Sequence, residues 1–187
     1  MIDELLSANG LDNEDLHLFR SALQPHALKK NEQFISLGQR CRNLAFIEDG
    51  YLRTYHLDEG GHEVTTDFNQ PNTFCSSYYS FYGQQPSFEI IEAMTDCELY
   101  LINYDALQKL YAQSLLINVI GRTTLEKACI ERDLRFKKIV HLPAKEKYEW
   151  FLEKYAEVYK VAKLGHIASF LGINQETLSR VRRSFIS

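Results

Sequence analysis

Apolar residues follow three different spacings along the chain, and each spacing predicts a different kind of structure. The first region, residues 1–24, has helical spacing. Its apolar stripe consists of Leu16, Phe19 and Leu23. Asp12 is suited to cap this helix, because a short carboxylate accepts a hydrogen bond from a free backbone N–H. Pro25 is expected to end the element.

The second region, residues 26–104, consists of short runs rich in β-branched and aromatic residues that alternate with turn signals. Asp49-Gly50 is a dipeptide typical of a tight hairpin. The other glycines that punctuate the runs are Gly38, Gly60 and Gly61. Short strands at regular spacing predict an antiparallel barrel or roll.

The third region returns to helical spacing, with a short helix at 105–112, a long helix at 114–140 and another at 143–159. Pro143 fits the first position of the last one. The apolar positions of the long helix are Leu116, Ile117, Ile120, Leu125, Ala128, Ile130, Leu134 and Ile139. This is more apolar surface than a lone helix needs, so we expect a helix of a second subunit to bury part of it. Packing against the roll alone is the alternative.

Residues 164–183 have the pattern of a helix-turn-helix. Gly172 stands where a sharp turn needs a residue that tolerates positive φ, and Asn174 is a good cap for the second helix. The apolar positions that would pack the two helices are Ile167, Ala168, Leu171, Ile173, Leu178 and Val181. The residues left on the outer face of the second helix are Gln175, Glu176, Ser179, Arg180, Arg182 and Arg183. This face has the chemistry of a DNA-reading surface; an ordinary helical hairpin with a solvated face is the alternative.

Charge is unevenly distributed along the chain. The formal net charge is −4, but residues 1–120 carry 7 Lys and Arg against 17 Asp and Glu, whereas residues 121–187 carry 14 against 8. An acidic front and a basic back indicate that only the C-terminal part meets phosphate.

The sequence predicts neither a membrane segment nor a cofactor. It has no apolar run long enough to span a bilayer and no signal-peptide pattern, so we expect a cytoplasmic protein with no membrane partner. The four cysteines are scattered, without metal-ligand spacing: Cys41, Cys75, Cys97 and Cys129. We therefore expect reduced thiols, no metal site and no cofactor. No nucleophile–His–carboxylate spacing is visible, so the chain is not predicted to be an enzyme.

The order of roll, long helix and C-terminal helix-turn-helix resembles the Crp-Fnr family of bacterial transcription regulators over nearly the full length. The motifs that carry the resemblance are residues 46–66, 74–103 and 173–180, and residues 77–102 resemble the members common in Bacteroidetes. The resemblance implies an α+β fold. It comprises an antiparallel β-roll (a cyclic-nucleotide-binding-like, double-stranded β-helix), a long dimerisation helix and a small winged-helix-type helix-turn-helix domain. The implied domains are 1–113, 114–140 and 141–187.

The implied function is sequence-specific binding of double-stranded DNA by a homodimer at a near-palindromic site. Family members carry a Glu and, four residues later, an Arg that read bases, and these roles fall on Glu176 and Arg180. Gln175 and Ser179 are secondary base readers. The residues predicted to contact the DNA backbone are Lys163, His166, Arg182 and Arg183. Any wing would have to come from the strand-like residues 158–163.

The resemblance also implies an effector pocket, for a small molecule that the sequence does not identify. Its candidate residues are Phe74, Ser76, Ser77, Tyr78, Ser87, Phe88 and Glu89. Members that bind cyclic nucleotides have a Gly-Glu pair and a phosphate-binding Arg, where this chain has Ser76-Ser77 and Ser87. Glu89 would repel a phosphate, so we expect no response to cAMP.

Two other classes of function stay open on sequence alone. One is a ligand-binding or protein-interaction β-roll module with a vestigial helix-turn-helix. The other is a cupin-like metalloenzyme, since His56, His62 and Glu63 weakly resemble the cupin metal motif. Asp58 stands where that motif needs a second histidine, and no later histidine of the roll completes the ligand set.

Overall fold

The computed structural model describes residues 10–185 of the 187-residue chain. A first helix, α1 (Asn13–Ser21), precedes the strands β1 (Gln24–Leu28), β2 (Gln33–Ile35), β3 (Asn43–Asp49), β4 (Leu52–Leu57), β5 (Glu63–Asn69) and β6 (Phe74–Cys75). A short helix, α2 (Tyr78–Gly83), separates these from β7 (Ile90–Ala93) and β8 (Cys97–Asn103). The helices that follow are α3 (Tyr104–Gln113), α4 (Leu115–His141), α5 (Ala144–Lys154), α6 (Ala156–Val161), α7 (Leu164–Phe170) and α8 (Gln175–Arg183).

The strands form two four-stranded antiparallel sheets, in the orders β1-β8-β3-β6 and β2-β7-β4-β5. Fully buried side chains such as Phe46, Leu52, Ile91 and Leu99 fill the space between them. The predicted antiparallel roll is confirmed. Strand β5 lies at the edge of the second sheet, a position that matters for the C-terminal helices below.

The Asp49-Gly50 turn is not the hairpin that the sequence predicted. Strands β3 and β4 belong to different sheets, so this turn carries the chain from one sheet to the other. Gly50 has φ +91°, and a Cβ there would collide with the backbone of Asp96 and Cys97. Glycine is required at this position by its conformation and also by the closeness of the neighbouring chain.

Helix α1 begins as predicted and ends earlier than predicted. The Asp15 amide donates to the Asp12 carboxylate at 2.9 Å, which confirms the cap. The helix ends at Ser21, and Pro25 lies inside β1 instead of closing the helix. An edge strand tolerates proline because one side of its backbone needs no partner. Residues 1–9 of the predicted helix lie outside the described part of the chain.

Helix α4 spans 27 residues, and the Ser114 hydroxyl caps it by accepting from the Ile117 amide at 3.1 Å. Ile117 is buried in the core that α4 shares with the roll, where α4 packs mainly on α3 and α1. Other large apolar side chains of this helix are exposed: Leu115, Ile130, Leu134, Phe136 and Val140. The roll therefore buries only part of the apolar surface of α4.

The C-terminal region differs from the prediction in two places. The predicted helix 143–159 is interrupted at Tyr155, whose buried ring packs among aromatic neighbours, and Pro143 is the cap residue instead of the first helical residue. The predicted wing at 158–163 is also wrong, because residues 158–161 belong to helix α6. Val158 is fully buried there, so packing overrides its preference for a strand.

The roll and the C-terminal helices share a second hydrophobic core. Phe68 of β5 and Met94, which follows β7, pack from the roll against Phe151 and Phe170. The Phe68 and Phe170 ring centroids are 5.0 Å apart. Helices α5 to α8 are thus docked on the outer face of the second sheet.

Candidate functional site

Helices α7 and α8 meet at a tight corner. Gly172 has φ +62° there, the conformation for which the sequence indicated glycine. Buried Ala168 and Leu178 pack the two helices together. The Asn174 side chain accepts from the Thr177 amide at 2.7 Å, which confirms the predicted cap and fixes the start of α8.

One side of α8 faces solvent. Gln175, Glu176 and Arg180 are exposed, and Ser179 is half-buried. We refer to these four residues as the α8 surface. Leu178 faces the opposite way and is completely buried, so packing holds the α8 surface in a fixed orientation.

The four residues predicted to contact the DNA backbone have different environments. Lys163 and Arg183 are exposed. The Arg182 guanidinium lies 5.6 Å from the Tyr159 ring centroid, so it is partly engaged within the chain. His166 faces the roll, 3.8 Å from the Glu63 carboxylate. This placement does not support a contact between His166 and DNA phosphate.

His166 belongs to a polar cluster between the roll and α7. Burial, together with the positive charges of Arg53 and Lys163, lowers the pKa of His166 to about 4. Its imidazole is therefore neutral at pH 7. Arg53 itself is 1% exposed and donates to Glu63 at 2.6 Å, while its guanidinium lies 4.0 Å from the Tyr55 ring centroid.

Helix α7 also contacts the free edge of β5 directly. The Ser169 hydroxyl accepts from the Thr65 amide at 2.9 Å and donates to the Glu63 carbonyl at 3.3 Å. Arg135 of α4 forms an ion pair with Asp67 of β5 at 2.8 Å and lies over the Phe170 ring. The sheet edge, the long helix and α7 are thus joined through a few side chains.

Three residues of the predicted effector pocket come together inside the roll. The Ser87 hydroxyl lies 3.0 Å from the Ser77 hydroxyl, and Ser77 donates to the Glu89 carboxylate at 3.2 Å. Ser77 and Ser87 are buried. Burial raises the pKa of Glu89, against the opposing effects of the Ser77 hydrogen bond and the nearby Arg132.

The other four predicted pocket residues lie elsewhere. Ser76 donates to the Asn43 carbonyl at 3.2 Å. Phe88 is exposed, and its ring packs at a tilt against that of Tyr79, with a centroid distance of 5.1 Å. Phe74 and Tyr78 line a separate cavity next to α4. The single pocket predicted from the sequence is therefore divided among several environments.

The histidines of the roll are not part of a metal-binding cluster within residues 10–185. His62 contacts Asp58 in the turn between β4 and β5. Among residues 10–185, no group of three or more His, Cys, Asp or Glu side chains is arranged to hold a metal ion. Cys41, Cys75 and Cys97 are buried free thiols, and Cys129 is an exposed one.

Comparison with known proteins identifies the domain type. Residues 25–114 match the family model of the cyclic nucleotide-binding domain. FixK2 from Bradyrhizobium japonicum has a similar structure, with a TM-score of 0.74 at 16% identity over 88% of this chain and 84% of that one. The chain therefore shares the overall fold of this structure, with a cyclic nucleotide-binding domain match in its roll. A search of curated proteins gave no significant match.

Two further solved structures are similar to this chain. One, assigned as a Crp/Fnr-family transcriptional regulator from Eubacterium rectale, has a TM-score of 0.73 at 21% identity, covering 96% of this chain and 85% of that one. The other is the c-di-GMP-responsive global regulator CLP of Xanthomonas campestris, with a TM-score of 0.70 at 16% identity over 94% and 92%. No helix within residues 10–185 has the length and apolar character needed to cross a membrane.

Sequence reasoning missed the residues that join the roll to the C-terminal helices. Arg53 is not among the predicted functional residues. An arginine inside a strand-like run nevertheless indicates a buried ion pair or an unusual neighbour. Arg135 and Ser169 carried no signal, since each acts through a partner distant in the sequence, Asp67 and Thr65 respectively.

Proposed function

We propose that this protein is a sequence-specific DNA-binding transcriptional regulator of the Crp-Fnr type. The observation that carries the proposal is the α8 surface, which is polar, exposed and held rigidly by the buried Leu178. A helix of this kind fits the major groove, where arginine pairs with guanine and a carboxylate accepts from cytosine. Arg180 and Glu176 would take these two roles.

A homodimer follows from the same proposal. The exposed apolar side chains of α4 give a second subunit a helix face on which to pack. Two α8 surfaces about 34 Å apart would enter successive major grooves and read a near-palindromic site. The excess of Lys and Arg after residue 120 supports contact with phosphate at this end of the chain.

We also propose that cAMP is not the effector. By the family resemblance, Ser77, Ser87 and Glu89 lie where members that bind cyclic nucleotides hold the phosphate. A carboxylate there opposes the binding of a phosphate diester, even with Arg132 nearby. Calorimetric titration with cAMP should give no saturable heat at concentrations up to the millimolar range. Micromolar affinity would contradict this assignment.

The experiment that tests DNA binding is selection of bound duplexes from a random-sequence library. We expect enrichment of a near-palindrome. On the selected site, Arg180→Ala should cost about 1–3 kcal/mol of binding free energy and relax the preference at one base pair. Arg183→Ala should weaken selected and random duplexes alike, because it contacts phosphate.

Lys109→Ala, which removes an exposed charge on α3, is the matched control and should leave DNA affinity unchanged. Without any enriched sequence, the roll would instead be a ligand-binding or protein-interaction module. Equal losses on selected and random duplexes for Arg180→Ala would remove Arg180 from base reading.

A further inference from the structure

A cavity of about 290 Å³ lies between the β-roll, α1, α3 and the first half of α4. It lies apart from the Ser77–Ser87–Glu89 cluster and shares only Phe74 and Tyr78 with the predicted effector pocket. The cavity is therefore a feature of the molecule that the proposed DNA-binding function does not use.

The cavity has an apolar closed end and a polar mouth. Buried Phe19, Leu44 and Ile117 form the closed end. Exposed Asn72 and Lys127 stand at the mouth. A ligand with an apolar body and one polar end would match this division. Small-molecule sites usually combine apolar walls with a few polar groups in this way.

Two tyrosines stiffen one wall of the cavity. The Tyr82 and Tyr111 hydroxyls lie close to each other, and burial raises the pKa of both. The Tyr111 ring packs directly on Gly121, where any Cβ would collide with it. The phenols are therefore neutral, and this wall presents ring surface to a ligand.

Lys127 supplies the charge at the mouth. Within residues 10–185 it has no ion-pair partner, so its ammonium is available to an anionic group. Thr124 also lines the cavity, one helical turn before Lys127 and Ala128, and offers a hydroxyl beside the ammonium.

We propose that this cavity binds an amphipathic monocarboxylate, with its apolar body among the buried side chains and its carboxylate at Lys127. A cavity of about 150 Å³ holds benzene, so this one has room for roughly ten to twelve carbon atoms. A medium-chain fatty acid meets both requirements, and decanoate is the appropriate probe.

The test is calorimetric titration of the full chain with decanoate and with uncharged decanol, both below their aggregation concentrations. Wild-type protein should bind one decanoate per subunit, about threefold more tightly than decanol. Ala128→Phe places a ring in the cavity and should weaken both ligands about tenfold or more. Thr124→Leu is a milder filling variant that should weaken both by a few fold.

Charge at the mouth is tested by a matched pair of variants on α4. Lys127→Met should bring decanoate affinity down to that of decanol and leave decanol unchanged. Lys137→Met removes another exposed lysine of α4 that does not line the cavity, and it should change neither affinity. Thermal unfolding of each variant reports whether it is folded.

Three results would overturn the proposal. These are absence of saturable decanoate binding by wild-type protein, wild-type affinity in a folded Ala128→Phe variant, and equal losses for Lys127→Met and Lys137→Met. Failure of DNA binding would leave these measurements unaffected, so the two proposals stand or fall separately.

Discussion

A neutral histidine is the most unusual titratable group where the roll meets α7. His166 lies beside Glu63, and its Nδ1 atom is buried with no hydrogen-bond partner among residues 10–185. Burial outweighs the attraction of Glu63, and the neighbouring Arg53 and Lys163 add to the effect. Protonation of His166 therefore opposes this packing arrangement.

This arrangement predicts a pH-dependent stability. Between pH 6.5 and 4 the unfolded chain binds a proton at His166 that the folded chain does not. As the pH falls through that window, this residue should lower the free energy of unfolding by at most about 3 kcal/mol. Urea denaturation at pH 7, 5.5 and 4.5 measures the loss.

His166→Gln should remove this part of the pH dependence, whereas His17→Gln, at an exposed position of α1, should retain it. Identical pH profiles for wild type and His166→Gln would show that His166 titrates normally in the folded protein.

At the scale of single elements, helix α4 has two apolar faces. Ile117 and its neighbours pack on the roll, whereas Phe136 and Val140 are 68% and 53% exposed. Cys129 lies seven residues before Phe136 and is also exposed, so the three share one side of the helix. A second copy of α4 would cover this side.

Phe136→Glu should therefore weaken self-association by at least about tenfold, because an unpaired carboxylate would be buried between the two helices. Sedimentation equilibrium measures the monomer–dimer constant. Lys127→Glu, at an exposed position facing the cavity mouth, is the control and should dimerise normally. A wild-type protein that stays monomeric at high concentration would rule out the helix-pair dimer.

Elements with local signals were predictable from the sequence, and those set by distant packing were not. The Asp12 and Asn174 caps each depend on a residue three positions away, so the sequence contains the whole interaction. The interruption at Tyr155 depends on aromatic partners that include Phe170. Helical spacing alone could not indicate it.

The candidate effector pocket was divided for a similar reason. Neighbouring residues in extended backbone point to opposite sides, so Ser76 and Ser77 cannot share a pocket. Ser77 reaches Glu89, and Ser76 reaches Asn43. A contiguous stretch of sequence indicates a region of the roll but cannot assign its side chains to one face.

At the scale of the whole molecule, the C-terminal helices are attached to the roll through α7. Ser169 makes two hydrogen bonds to the backbone of β5, and Arg135 connects the same strand to α4 through Asp67. The orientation of the α8 surface is thus tied to the sheet, because α7 and α8 pack as one corner.

Ser169→Ala should lower the free energy of unfolding by about 1 kcal/mol, since it leaves the Thr65 amide without its partner. Hydrogen exchange should show faster exchange at that amide in particular. Ser184→Ala removes a hydroxyl that donates to the Val181 carbonyl in the last turn of α8, and it should leave Thr65 protected. Unchanged exchange at Thr65 in Ser169→Ala would mean that the contact with α7 does not hold in solution.

The location of β5 at the sheet margin has one more consequence. In a fragment that stops after α4, the Thr65 N–H and the Phe68 ring would both meet water. An uncovered strand margin with an apolar side chain readily recruits an identical strand from another molecule. By covering this strand, helix α7 therefore also protects the roll from aggregation. A roll expressed alone should be far less soluble than the complete chain.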